Sequence, residues 1–279
     1  MLLSLHPVVL NGRAGWPAQI DLAAQVGFPA VDVNVTGAVK EGLAATLDRL
    51  KAKKVLPGVC SFPVEFRKDE EAFKKDLDQL ETSAQMATSL GCPRMATWIL
   101  SSSDLPADEN RRLHVRRLGA AAKVLERSGV RLGLEFLGPL HIRKQRPHEF
   151  VWRMNDMLAL ARECGPNVGL LLDSWHWHHA GATLSDIAKA GRDAIVHVHF
   201  NDAAKQAPED VKDNERLMPG EGVIDLVGFL QALHKLGYRD AASVEVFGRG
   251  LKDMPVEAAA QLSVNTARAV FEKAGVPWK

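Results

Sequence analysis

Short apolar or β-branched runs recur at Leu2–His6, Ala30–Asn34, Val55–Ser61, Arg94–Ile99, Val130–Phe136, Val168–Asp173, Ala194–Phe200 and Ala242–Phe247. Each is of strand length, and together they predict eight strands. Between them the period changes. Phe73, Leu77, Leu80, Ala84, Ala87 and Leu90 step by three or four residues, which lays one apolar stripe along a helix. Gly91 follows where a left-handed cap would end that helix, and Gly27, Gly129, Gly165 and Gly237 stand in the same place before later strands. Pro17 and Pro147 read as first-turn helix prolines. Strands alternating with helices at roughly 35 residues per unit predict a parallel α/β fold. The expected architecture is a single (β/α)8 TIM barrel over residues 1–279.

A doubly wound sheet is the rival. It is disfavoured because no G-x-G-x-x-G turn follows the first strand, and no linker or charge block marks a second domain. Composition agrees with a globular chain, 46% hydrophobic and 25% charged. A formal charge of +1 supplies no electrostatic footprint for nucleic acid or an anionic membrane. No apolar run is long enough to span a bilayer, and the opening MLLSLHPVVL reads as a strand rather than a leader. Cys60, Cys92 and Cys164 are odd in number and form no C-x-x-C pair. Neither a disulfide framework nor a thiolate metal site is expected, and a reducing cytoplasm is the simplest setting.

Chemistry gathers at the ends of the last four strands. The fifth, V-R-L-G-L-E-F, ends at Glu135, and the sixth, V-G-L-L-L-D, ends at Asp173. The seventh carries His199 and the eighth Glu245. Alternate residues of a barrel strand point inward, and active sites form at the C-terminal rim, so the four groups converge. Three carboxylates buried together would raise one another's pKa unless a cation joined them. Carboxylate oxygens with one imidazole and no thiolate suit Mn2+ or Mg2+, with Co2+ or Zn2+ as alternatives. Taken singly, a strand-end acid is more often a helix cap or a loop ion pair, and it is the joint pattern on four consecutive strands that points to a metal. His197 shares the inward face one layer deeper and reads as a hydrogen-bonded interior histidine.

The segments L-E-F-L-G at 134–138, L-D-S-W-H-W-H at 172–178, H-F-N-D at 199–202, P-G-E-G-V-I-D-L at 219–226 and S-V-E-V-F at 243–247 resemble the xylose isomerase-like sugar isomerase/epimerase superfamily. The likeness is strongest to inosose (2-keto-myo-inositol) isomerases, and ketose 3-epimerases share the plan. It implies Glu135, Asp173, His199 and Glu245 as ligands of one divalent ion, with Glu135 and Glu245 doubling as the proton-transfer pair. It also implies that His176, from D-x-x-H, and Arg216 hold substrate oxygens, and that the barrels tend to associate as homo-oligomers. The implied substrate is a small keto-sugar or keto-cyclitol, with no nucleic acid or membrane as partner.

Those residue types fit the chemistry on their own terms. Proton abstraction beside a carbonyl makes an enediolate whose oxygens need positive charge, and a carboxylate near the C–H acts as base. Two glutamates on opposite faces would allow epimerisation, whereas one face suffices for isomerisation. A dehydratase eliminating a β-substituent from the same intermediate is the alternative. An endonuclease IV-like enzyme would need further histidines on strands three and four, which here end in C-S-F and A-T-W-I. A non-catalytic sugar-binding barrel is the remaining rival. Ketose 3-epimerases often place another glutamate after strand five, where this chain has G-P-L-H-I-R. There His141, Arg143, Lys144 and Arg146 either meet a more oxygenated or anionic substrate or form a solvated basic loop. His178 and His179 read as loop or helix-start residues. Trp16, Phe62, Trp98, Trp175, Trp177 and Phe247 are candidates for a sugar-facing wall or for plain core.

Overall fold

The computed structural model describes all 279 residues. Eight parallel strands close into a barrel: β1 (Leu2–Leu5), β2 (Ala30–Val33), β3 (Leu56–Ser61), β4 (Arg94–Ile99), β5 (Arg131–Phe136), β6 (Val168–Asp173), β7 (Ile195–Phe200) and β8 (Ala241–Val244). Each strand pairs with its sequence neighbours, and β8 returns to β1 with Leu2 opposite Ala241 and Leu5 opposite Val244. The predicted strands are all present, with ends shifted by a residue or a few. The largest shift is at the eighth, where the ladder stops at Val244 and leaves Glu245 just beyond it.

Helices follow the strands and cover the outside. In Glu70–Ser89 the predicted stripe faces inward: Phe73, Leu80, Ala84 and Ala87 are buried, and Leu77 packs against the same core. Asp69 caps the start of that helix by accepting the Ala72 N–H at 2.8 Å, and Gly91, at φ 75°, ends it in the left-handed conformation. Two readings need correction. Gly165, at φ 159°, ends its helix without a left-handed cap. Pro147 starts no helix, because the next one begins at Met154. It instead precedes His148–Glu149, which pairs antiparallel with Ser102–Ser103 beside the barrel mouth. No helix is long and apolar enough to cross a membrane, and all three cysteines are buried free thiols.

Candidate active site

Adjacent staves β5 to β8 bring Glu135, Asp173, His199 and Glu245 together. One ligand atom from each lies within 4.8 Å of all the others. His199 Nδ1 is 3.2 Å from Glu245 Oε2, 3.4 Å from Glu135 Oε1 and 3.9 Å from Asp173 Oδ2. All four residues are buried, none more than 7% exposed. Register explains the convergence. Asp173 pairs with His199 across β6 and β7, and Glu135 stands opposite Trp98 of β4.

Arg216 reaches this cluster from the long connection after β7. Its Nη1 donates to Asp173 Oδ2 at 3.1 Å and to Glu245 Oε2 at 2.8 Å. Asp213 steadies the guanidinium, accepting from Nε at 3.0 Å and from Nη2 at 2.7 Å. Arg216 is only 2% exposed, so these ion pairs are buried rather than surface contacts. His176 Nε2 accepts from Arg216 Nη2 at 3.1 Å, so this imidazole faces the cluster through the arginine.

Burial and charge set the proton balance. Burial, then the neighbouring Glu245 carboxylate, pushes Glu135 up to about 8. Burial works the same way on Glu245, yet His199 and Arg216 hold it well below the usual carboxylate range. Asp173 is likewise lowered, with Arg216 and His176 overcoming its burial. Burial opposes a charge on His199, but Glu245 and Glu135 raise its pKa well above the ordinary value. The donor set fits a divalent cation. Two of its members, Glu135 Oε1 and His199 Nδ1, are buried side by side without a hydrogen-bond partner. An oxygen-rich set with one imidazole is also what hard or borderline divalent ions take.

Other polar groups have roles that local sequence does not announce. Asn201 Nδ2 donates to Asp173 Oδ2 at 2.8 Å and to the Glu245 carbonyl at 3.0 Å, tying the ends of three staves. His6 lies at the end of β1, with Nε2 3.6 Å from Glu245 Oε1. Asp32, inward on β2, accepts from Ser4 Oγ at 2.6 Å and from Ser243 Oγ at 2.8 Å. Burial pushes its carboxyl up to about 6. The close fit here needs Gly58, since a Cβ at that position would lie 2.6 Å from Asp32 Oδ1. Asp32 carried the same signal as the recognised acids, an inward acid near a strand end. His197 is an interior histidine as expected, fully buried with Nε2 2.8 Å from Ser243 Oγ.

The cluster opens into two lobes. One, of about 310 Å³, runs toward β1 to β4 past His6, Asp32, Asn34, Ser61 and Thr97. The other, of about 420 Å³, is walled by His141, Gln145, His176, Asp213, Arg216 and Phe247. Glu135, Glu245 and Trp98 line both. Of the aromatic candidates, Trp98 and Phe247 face the cavity. Trp175 and Trp177 are buried in the core, and Trp16 and Phe62 pack against it. The basic loop divides: His141 joins the cavity, Arg143 stacks on Trp152 at 3.8 Å, Lys144 is exposed and Arg146 pairs with Asp104. His178 and His179 close the short helix Ser174–His179 rather than starting one.

A family model described as xylose isomerase-like TIM barrel matches residues 20–270. The inosose isomerase of Halalkalibacterium halodurans is 26% identical over 255 residues, covering 88% of each chain. A solved xylose isomerase domain protein from Alicyclobacillus acidocaldarius superposes with a TM-score of 0.89 at 31% identity, covering 99% of each chain. The solved IOLI protein, whose structure holds a zinc atom, gives a TM-score of 0.82 at 22% identity, over 98% of this chain and 99% of its own.

Proposed function

This chain belongs to the xylose isomerase-like TIM-barrel family, and on that premise we propose a divalent-metal-dependent isomerase or epimerase that moves a proton beside the carbonyl of a keto-cyclitol or keto-sugar. The observation that carries the reading is the buried group of Glu135, Asp173, His199 and Glu245, two of whose donor atoms lack partners, opening onto a cavity of sugar size. Likeness to an inosose isomerase supports the substrate class. Charge supports it further. The cavity is lined by Asp32, Glu135, Asp213 and Glu245 against one cation, Arg216, whose donors already face acids and His176. No unpaired cation is left there for a phosphate or carboxylate, so a neutral polyhydroxylated ketone fits best.

Glu135, Asp173, His199 and Glu245 would hold the ion, Mn2+ or Mg2+ by donor type with Co2+ or Zn2+ next. When bound it supplies Lewis-acid stabilisation of developing negative charge on two neighbouring oxygens. The chain does the rest. Glu135, on β5, and Glu245, just past β8, would supply the two carboxyl groups, one to remove the carbon-bound proton and one to return it. Arg216, its five N–H groups engaged by Asp213, Asp173, Glu245 and His176, would reach a substrate oxygen only by exchanging one of these partners, and otherwise keeps the acids in place. Trp98 and Phe247 provide apolar faces for the C–H side of a ring.

Solvent deuterium uptake into a panel of keto-inositols and ketohexoses, with and without Mn2+, tests this. Metal-dependent exchange into at least one member is expected, and Glu135→Gln and Glu245→Gln should each lower it by about 10²-fold or more. No exchange into any member would overturn the reading, and growth of an ultraviolet-absorbing enone would assign elimination instead.

A further inference from the structure

His6 caps the turn Pro7–Leu10, its Nδ1 accepting the Val8 N–H at 3.2 Å. A ring nitrogen that accepts carries no proton, so the remaining imidazole hydrogen sits on Nε2. Backbone geometry therefore fixes the tautomer. Nε2 lies 3.6 Å from Glu245 Oε1 in the lobe that also holds Glu135, and the ring stands edge-on to His199 with centroids 5.0 Å apart. The other oxygen of Glu245 faces the opposite way. Oε2 is 2.8 Å from Arg216 Nη1 and 3.2 Å from His199 Nδ1. The two oxygens thus have separate surroundings, one in the ligand cluster and one in the open lobe.

We propose that His6 is a positioning residue whose Nε2–H holds Glu245 Oε1, the oxygen left outside the ligand cluster, at the cavity wall where the substrate C–H arrives. The proposal rests on Glu245 acting in proton transfer. The terminal torsion of a glutamate is broad, so a donor on one side is what keeps one oxygen inward and the other outward. At 3.6 Å the contact is longer than a formed hydrogen bond. Catalytic contacts are commonly long in unfilled sites and tighten when ligand closes the cavity.

Long-range proton–nitrogen NMR on histidine-labelled full-length protein reads the tautomer without any activity, with the His6 ring assigned from its loss in His6→Asn. Nδ1 should appear bare and Nε2 protonated at neutral pH, and the Nε2–H resonance should move in Glu245→Gln. The opposite tautomer, or an unmoved resonance, overturns the proposal. In the Mn2+ exchange assay His6→Phe keeps a flat ring without the donor. It should lower the saturated rate about tenfold with KM little changed, while His6→Gln restores part of the rate. A wild-type rate in His6→Phe would also overturn it. If wild-type protein exchanges no keto-polyol, the proton-transfer reading falls, and the NMR result alone decides the His6–Glu245 contact.

Discussion

Asp173 gives its two oxygens different work. Oδ1 caps the helix Ser174–His179, accepting from Trp175 N at 2.7 Å and His176 N at 3.0 Å, while Oδ2 turns to Asn201, Arg216 and His199. The plain reading of a strand-end acid as a helix cap is therefore met by Oδ1, while Oδ2 stays turned toward the cluster, and strand-end position is the local signal for both. Asp213 and Asn201 give no such signal, because their partners lie on a different strand or are fixed by the turn of a long connection. Histidines away from the cluster show a residue-scale effect that pH can reveal. His114 lies between the rings of Phe66 and Phe150, and its Nδ1–H donates to the Asn110 carbonyl at 2.8 Å. Burial pushes its pKa down to about 4, against about 6.5 in an unfolded chain. Between those values the unfolded chain binds a proton that the native protein refuses, so stability falls as pH drops from about 6.5 to 4. His6 and His176 share this sign, so the informative quantity is a difference. His114→Phe should gain on wild type across that window by on the order of 2 to 3 kcal/mol and show a constant gap above it. Paired melting curves from pH 4 to 8 check this, and a pH-independent gap would show that the shift is absent.

Eight strands were legible because barrel strands repeat one local pattern, a short apolar run between helical stretches, and because their polar ends break it. The ribbon of Ser102–Ser103 and His148–Glu149 was not, since two residues per strand leave no periodicity to read. Pro147 was misplaced for the same reason: a proline marks a start without saying of what. The connection after β7 brings Arg216 to the cluster. Asp202 follows that strand fully buried, and its carboxylate accepts the N–H groups of Ala203, Gly220, Gly222 and Ile224 at 2.8 to 3.0 Å. Its backbone bridges Leu217, the neighbour of Arg216. Gly222 is required by the same contact, as a Cβ there would lie 2.5 Å from Asp202 Oδ1. Asp202→Ala leaves these donors without their acceptor and should destabilise the protein by about 3 kcal/mol. Because the connection carries Arg216, the variant should also lose exchange activity below its melting temperature, with KM rising more than the rate falls. Unaltered kinetics in a destabilised variant would confine Asp202 to a folding role.

At the scale of the molecule, half of the barrel wall ends in one cluster of charge. Without a cation, the ends of β5 to β8 carry a protonated Glu135 and two buried carboxylates, Asp173 and Glu245, facing Arg216 and a protonated His199, an arrangement that costs stability through desolvation. An ion that binds the folded cluster and not the unfolded chain must raise stability by mass action, about 2.7 kcal/mol when its concentration is a hundred times Kd. For a chain of this size that corresponds to a rise in Tm of roughly 5 °C. Mn2+ should therefore raise the melting temperature of chelator-treated protein by that amount. His199→Gln, which removes the ring nitrogen proposed as a ligand, should show little or none of the rise. Amide hydrogen exchange adds the spatial test. Sub-global openings that part β5 to β8 break the cluster and should be slowed by the ion, whereas openings confined to β2 and β3 leave all four proposed ligands in place and should not. A Tm rise preserved in His199→Gln would put the ion elsewhere on the molecule, and slowing spread evenly through β2 and β3 would remove the link between the rim cluster and the stability of that half of the wall.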